Sequence, residues 1–269
     1  MALYRTEGIV LRTRNLGEAD RIVTFYSPTR GKVRAVARGA RRPRSRFVSS
    51  TQMFAHADFL VFPGKSLDSI SQVEVKTSFP RLHEDLIKLA FASYIAELLD
   101  AMVEEGGEGT DNAGNEAVFG LLAAYLRALS EANDPEMLTR AFELKLSSLL
   151  GYKPVLDSCA RCGTRDLGAE VGFAPDAGGV VCQDCLKHSG LGTGGVRISR
   201  GAVEVMKRLL VLELDKVSRL GAGPGMRAEI ERAMRVHLDF RLDRRLQSLD
   251  FLAAVKAAQD GGRKAATIQ

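Results

Sequence analysis

Along the first 80 positions the apolar residues come in short runs rich in Val, Ile, Thr and Phe, interrupted by turn-forming groups, which is how strands are written. Five strands are expected, near residues 7–14, 20–27, 32–38, 53–62 and 69–77, with turns at Asn15-Leu16-Gly17, at 28–31 and at Pro63-Gly64. So few strands favour a small closed barrel, because a sandwich fragment would leave two long edges to protect. After Pro80 the spacing turns helical: Val118, Leu121, Leu122, Tyr125, Leu126 and Leu129 fall on one stripe. The next helix carries both end signals, Asp134 to accept from the first amides, Pro135 at the first position and Gly151 as terminator, with Leu138, Phe142, Leu146 and Leu149 facing inward. Between Tyr152 and Gly195 the period stops, and Gly and Cys take over. Helices resume from Ser199 to about Leu214, at 226–242 and at 247–259. The expected division is a barrel over 1–79, a helical domain over 80–151 and 196–259 interrupted by an insert over 152–195, and a disordered tail over 260–269.

Charge sharpens this division. The net charge of +5 over 269 residues hides a block of 14 Lys/Arg against 6 Asp/Glu in 1–80 and of 5 against 13 in 81–150. A basic module beside an acidic one suggests separate tasks, the first facing a polyanion. On the third expected strand Lys32, Arg34 and Arg38 project to one face, while Val33, Ala35 and Ala37 project to the other. Arg30, Arg41, Arg42, Arg44 and Arg46 extend this stripe, so that 30–46 holds eight basic residues and no acidic one, and Arg12 and Arg14 share a face of the first strand. Such a groove can track a phosphate backbone by releasing counterions, and barrels of this size present a face suited to single strands. Tyr26, Phe47 and Phe54 can either stack on bases or fill the barrel core. A second, weaker basic patch is expected at Arg232, Arg235, Arg241, Arg244 and Arg245. The acidic, Gly-rich stretch 104–115 reads as an exposed loop with no assigned role.

Cys159-Ala160-Arg161-Cys162 and Cys182-Gln183-Asp184-Cys185 are two CxxC pairs 19 residues apart, the spacing of a four-thiolate structural zinc site. Four protein ligands leave no open position for substrate, so one ion is expected to hold the insert together rather than to do chemistry. His188 is expected at the surface and His237 in a packed apolar stripe. No apolar run approaches the roughly 20 residues of a membrane span, and the N-terminus lacks a secretory pattern, so cytoplasmic placement is expected. The glycine runs 190–195 and 221–225 neither follow an expected strand nor carry the Lys-Ser/Thr pair of a phosphate loop. No paired-carboxylate or nucleophile-base arrangement stands out, and no enzyme or small-molecule substrate is expected.

The order of these parts resembles the RecO family, bacterial recombination mediators. The likeness rests on residues 31–42 (GKVRAVARGARR), 140–152 (RAFELKLSSLLGY), the CxxC pairs and the stretch 244–248 (RRLQS), and spans nearly the whole chain. It implies an α+β multidomain fold: an N-terminal OB-fold β-barrel and a C-terminal helical domain with an inserted four-cysteine zinc-ribbon-like module. It also implies binding of single- and double-stranded DNA, annealing without nucleotide hydrolysis, and, with RecR, loading of the recombinase onto strands coated with single-stranded-DNA-binding protein. RecR and that protein are the implied partners, with Arg140 as candidate receiver of its acidic tail, and the nucleoid is the implied setting. The competing reading is a zinc-ribbon RNA-binding or translation-associated factor, since barrels and ribbons serve RNA equally.

Overall fold

A computed structural model describes residues 3–45, 47–106 and 112–266, with side chains described to Gln259. The chain forms two compact units, one running to Ser130 and taken up again from Leu246, the other comprising Glu131–Arg245.

The first unit begins with β1 (Tyr4–Leu16), β2 (Asp20–Ser27), β3 (Gly31–Ala37), β4 (His56–Phe62) and β5 (Asp68–Thr77). They close a barrel in the order β1-β2-β3-β5-β4, antiparallel except for the short β3–β5 contact at Ala35–Asp68 and Val36–Ser69. This is the expected OB-type barrel. Alternation puts Val23, Phe25, Val33, Ala35, Ala37, Phe59 and Val61 inside, where Phe25 and Phe59 stack with centroids 4.2 Å apart. Gly8 makes that stack possible, since a Cβ there would lie 2.5 Å from the Phe25 ring. Tyr26, Phe47 and Phe54 are buried, so they serve packing rather than base stacking. The fourth strand starts at His56 rather than at 53, because residues 47–55 are held in turns, Thr51 N and Oγ1 both donating to Phe47 O.

Three helices follow in this unit: α1 (Pro80–Glu84), α2 (Leu86–Met102) and α3 (Asn112–Glu131), the last crossing the unit boundary by one residue. Asp85 starts α2 by accepting from the amides of Ile87 and Lys88. The stripe on α3 is buried as its spacing requires, except that Leu121 is half-buried.

In the second unit α4 (Pro135–Leu149) carries its expected caps, Asp134 accepting from Met137 N and Gly151 following at φ +82°. Leu149 differs from expectation and stays 44% exposed. A three-stranded sheet, β6 (Val171–Ala174), β7 (Gly179–Val181) and β8 (Val196–Ile198), carries α5 (Gln183–Ser189) and leads to α6 (Arg200–Val211), a 3-10 turn at Leu214–Arg219 and α7 (Pro224–Asp239). The chain then re-enters the first unit as α8 (Ser248–Ala266), which packs on α2. Gln247 N just before it and Ser248 N at its start donate to the Glu97 carboxylate at 3.1 and 2.7 Å. Of the tail expected to be disordered, 260–266 is helical backbone, while 267–269 lie outside the described residues. Among the described residues no helix is long and apolar enough to cross a membrane.

Candidate nucleic-acid interface and metal centre

The arginines singled out in the first 46 residues separate into distinct groups. At the end of the barrel where β1 turns into β2, Arg41 NH1 donates to Gly17 O at 2.7 Å and Arg41 N donates to Ala19 O at 2.9 Å. Gly39 N donates to Asp20 Oδ1 at 2.8 Å. These bonds fasten the loop after β3 to the β1–β2 turn, and Arg38, Arg41, Arg42 and Arg44 stand exposed on it. Arg14, paired with Ile22 two residues from the same turn, is exposed beside them. The turn also contributes exposed Glu18, so the charge of this end is mixed but predominantly positive. Arg30 lies at the opposite end, its guanidinium 3.8 Å from the centre of the Tyr4 ring, and Arg46 lies outside the described residues.

On the barrel wall, register aligns Arg12 with Thr24 and Thr24 with Arg34, placing the two arginines in one lateral row on β1 and β3. Two residues along, on the same face, Tyr26 pairs with Lys32. The C-terminal end of α2 lies against these rows. Lys32 Nζ donates to the backbone carbonyl of Asp100 at 2.7 Å and sits 3.5 Å from its carboxylate, both side chains being almost buried. The Asp100 carboxylate also faces Arg12 at 3.8 Å, and Glu105 holds Arg34 at 2.8 Å. Tyr26 OH donates to Asn115 Oδ1 at 3.0 Å. Lys32 therefore ties a helix terminus to the barrel, satisfying a carbonyl that the helix leaves open. Asp100 and Glu105 are the residues sequence reasoning missed: the acidity of their stretch was visible, its placement on the basic stripe was not.

The second basic patch is partly built into its own unit. Arg232, Arg244 and Arg245 are exposed, whereas Arg241 is half-buried, with its guanidinium 5.4 Å from the Tyr152 ring centre and NH1 donating to His237 O at 2.6 Å. Burial pushes the Asp239 carboxyl above its ordinary value, and half-buried Arg235 and exposed Arg245 offset this only in part. His237 is fully buried: Nε2 donates to Tyr152 O at 3.0 Å, which leaves Nδ1 as acceptor toward Arg241 at 3.2 Å. Burial, then the charge of Arg241, bring its pKa down to about 4, so it is a neutral packing group. Arg140 is also buried, 3% exposed, with NH1 3.0 Å from Glu143 one helical turn on. As it stands it faces Glu143 rather than solvent.

The four cysteines come together. All four Sγ atoms lie within 4.8 Å of one another, and the Cys162–Cys182 separation is 3.7 Å. A tetrahedral ion with bonds of about 2.3 Å sets its sulfurs about 3.8 Å apart, whereas a disulfide needs about 2.05 Å. The donor set thus fits a metal ion. Local folding aims it: Cys182 directly follows β7 and caps α5, accepting from Cys185 N at 3.5 Å, while Cys182 N donates to Cys159 Sγ at 3.4 Å. Burial pushes the Cys159 thiol up, yet the amides of Cys162, Cys182 and Arg161 outweigh it and bring it down to about 6. Cys185 is pushed up to about 12, first by the Cys162 sulfur, then by burial and the remaining thiols. Thiols this crowded resist becoming thiolates together unless a cation joins them. Exposed His188 directs Nδ1 to Asp184 O at 2.7 Å and is not part of the cluster.

The chain matches two family models, "Recombination protein O N terminal" over residues 1–79 and "Recombination protein O C terminal" over residues 83–250. It is 44% identical over 262 residues to a protein of Symbiobacterium thermophilum named DNA repair protein RecO, covering 96% of this chain and all of that one. Proteins of the same name from Desulforamulus reducens and Roseiflexus are each 37% identical, over 94% of this chain and 94% and 86% of their own lengths.

Proposed function

Because the chain belongs to the RecO family of DNA repair proteins, we propose that it binds single- and double-stranded DNA through the arginine-lined end of its barrel, anneals complementary strands, and with RecR helps load the recombinase onto coated strands. The observation that carries this reading is the exposed group Arg14, Arg38, Arg41, Arg42 and Arg44, pinned to one end of a closed barrel by the bonds of Arg41 and Gly39. Neutralising two strands at once lowers their mutual repulsion while bases find their partners. The protein's part is binding, without turnover. RecR and single-stranded-DNA-binding protein are its proposed protein partners, and the cytoplasm, at the nucleoid, its proposed location. The acidic tail of the latter is not assigned to Arg140, whose guanidinium faces Glu143.

Cys159, Cys162, Cys182 and Cys185 are proposed to hold one zinc ion. Such an ion supplies a cross-link between the two CxxC turns and takes no part in annealing.

The test is fluorescence-monitored annealing of complementary oligonucleotides, bare and coated with single-stranded-DNA-binding protein, across a salt series. Acceleration should fade with salt; engaging about four phosphates of a single strand gives a log–log slope near −3, at roughly −0.7 per contact. Reversing Arg38 and Arg42 to Glu should abolish most of the acceleration. No acceleration on DNA combined with tight binding of matched RNA would move the protein to RNA.

A further inference from the structure

We propose that Glu105 competes internally with nucleic-acid phosphate for Arg34, on an acidic strap anchored by Asp100, so that the barrel wall accepts a strand only when the strap lets go. This rests on the preceding reading of the barrel as the nucleic-acid surface and adds what regulates it. The strap has a fixed half and a loose half. Asp100 belongs to the fixed half: its carbonyl and carboxylate hold Lys32, and the two side chains are only 13% and 12% exposed. Glu105 belongs to the loose half, where its pair with Arg34 has 54% and 43% of the side chains exposed. An exposed pair of this kind is readily exchanged for another anion, whereas an almost buried one is not.

Backbone contacts aim the strap. Glu105 forms a parallel bridge with Lys32, and Gly106 N donates to Lys32 O at 2.9 Å, capping the start of the β3 edge. A Cβ on Gly106 would lie 1.7 Å from Arg30 O, so only glycine lets the chain approach this closely. Held there, the Glu105 carboxylate lies where a phosphate would meet Arg34, in the lateral row that β-register shares with Arg12. Arg12 is more open, 55% exposed with Asp100 at 3.8 Å, so it can greet a strand before Arg34 is released.

The experiment measures binding of a fluorescent single-stranded 30-mer to the full-length protein over a salt series, for the wild type, Glu105→Gln, Glu104→Gln and Arg42→Glu. Glu104 is exposed next door and serves as the control for charge alone. Glu105→Gln should bind several-fold tighter at low salt, and its salt slope should steepen by about 0.7, one further phosphate contact. Glu104→Gln should change neither as much, and adding Arg34→Gln to Glu105→Gln should return the slope to that of the wild type. An equal gain from Glu104→Gln overturns the proposal in favour of bulk charge. Unchanged binding by Glu105→Gln with weakened binding by Arg42→Glu overturns the strap and leaves the nucleic-acid surface standing. If Arg42→Glu also binds like the wild type, the surface itself is misassigned.

Discussion

Arg140 and Arg34 face glutamates at nearly the same distance, 3.0 Å from Glu143 and 2.8 Å from Glu105, and the two pairs have opposite roles. The Arg140 pair lies inside the second unit, with 4% and 0% of its side chains exposed; the Arg34 pair sits on the barrel wall, roughly half in water. Proximity alone does not rank them. Inside, each charge depends on its partner because solvent cannot replace it; outside, water and passing anions can. The interior pair is structural and the surface pair is exchangeable.

The comparison is broken most directly at Arg140. Its replacement by Ala removes the buried cation beside Glu143 and should cost about 3–5 kcal/mol in urea unfolding, whereas replacing both by apolar residues of similar volume should cost much less. Next comes pH. His237 has a folded pKa near 4 against an ordinary 6.5, so between those values the unfolded chain takes up a proton that the folded one refuses. Stability should therefore be complete above pH 6.5 and fall by roughly 3 kcal/mol as pH drops toward 4, a slope that His237→Gln should flatten. The smallest effect belongs to the wall: Arg34→Gln should shift unfolding by less than about 1 kcal/mol and leave the salt slope of oligonucleotide binding as in the wild type. A loss at Arg34 as large as that at Arg140 would erase the distinction.

Much of this was legible from spacing. Two CxxC turns predict a metal cluster because each turn already brings two sulfurs to one side, and the α3 stripe predicts its buried face because only one side is apolar. The Arg140 pair was not legible. Residues 137–144 of α4 are buried without a break, so this helix has no outward face along that stretch and periodicity gives its Arg and Glu no direction. Lys32 misled for another reason: alternation correctly placed it on the outer face, but its partner Asp100 is 68 positions away, and no local pattern encodes that contact. Arg12 and Arg34 were placed on the right face, though only strand register reveals that they share a row.

The return of α8 to α2 also orders events in time. Phe91 on α2 lies under Lys256, and the buried Leu252 and Val255 belong to a segment made long after the barrel strands. At roughly 5–20 residues per second, a ribosome takes on the order of ten seconds to travel from Ser130 to Ser248. During that interval the nascent first unit has its barrel but lacks the helix that finishes α2, and the whole second unit emerges as an insertion within it. A chaperone that recognises apolar helical surface has its opportunity then, and the opportunity closes when the last helix leaves the exit tunnel.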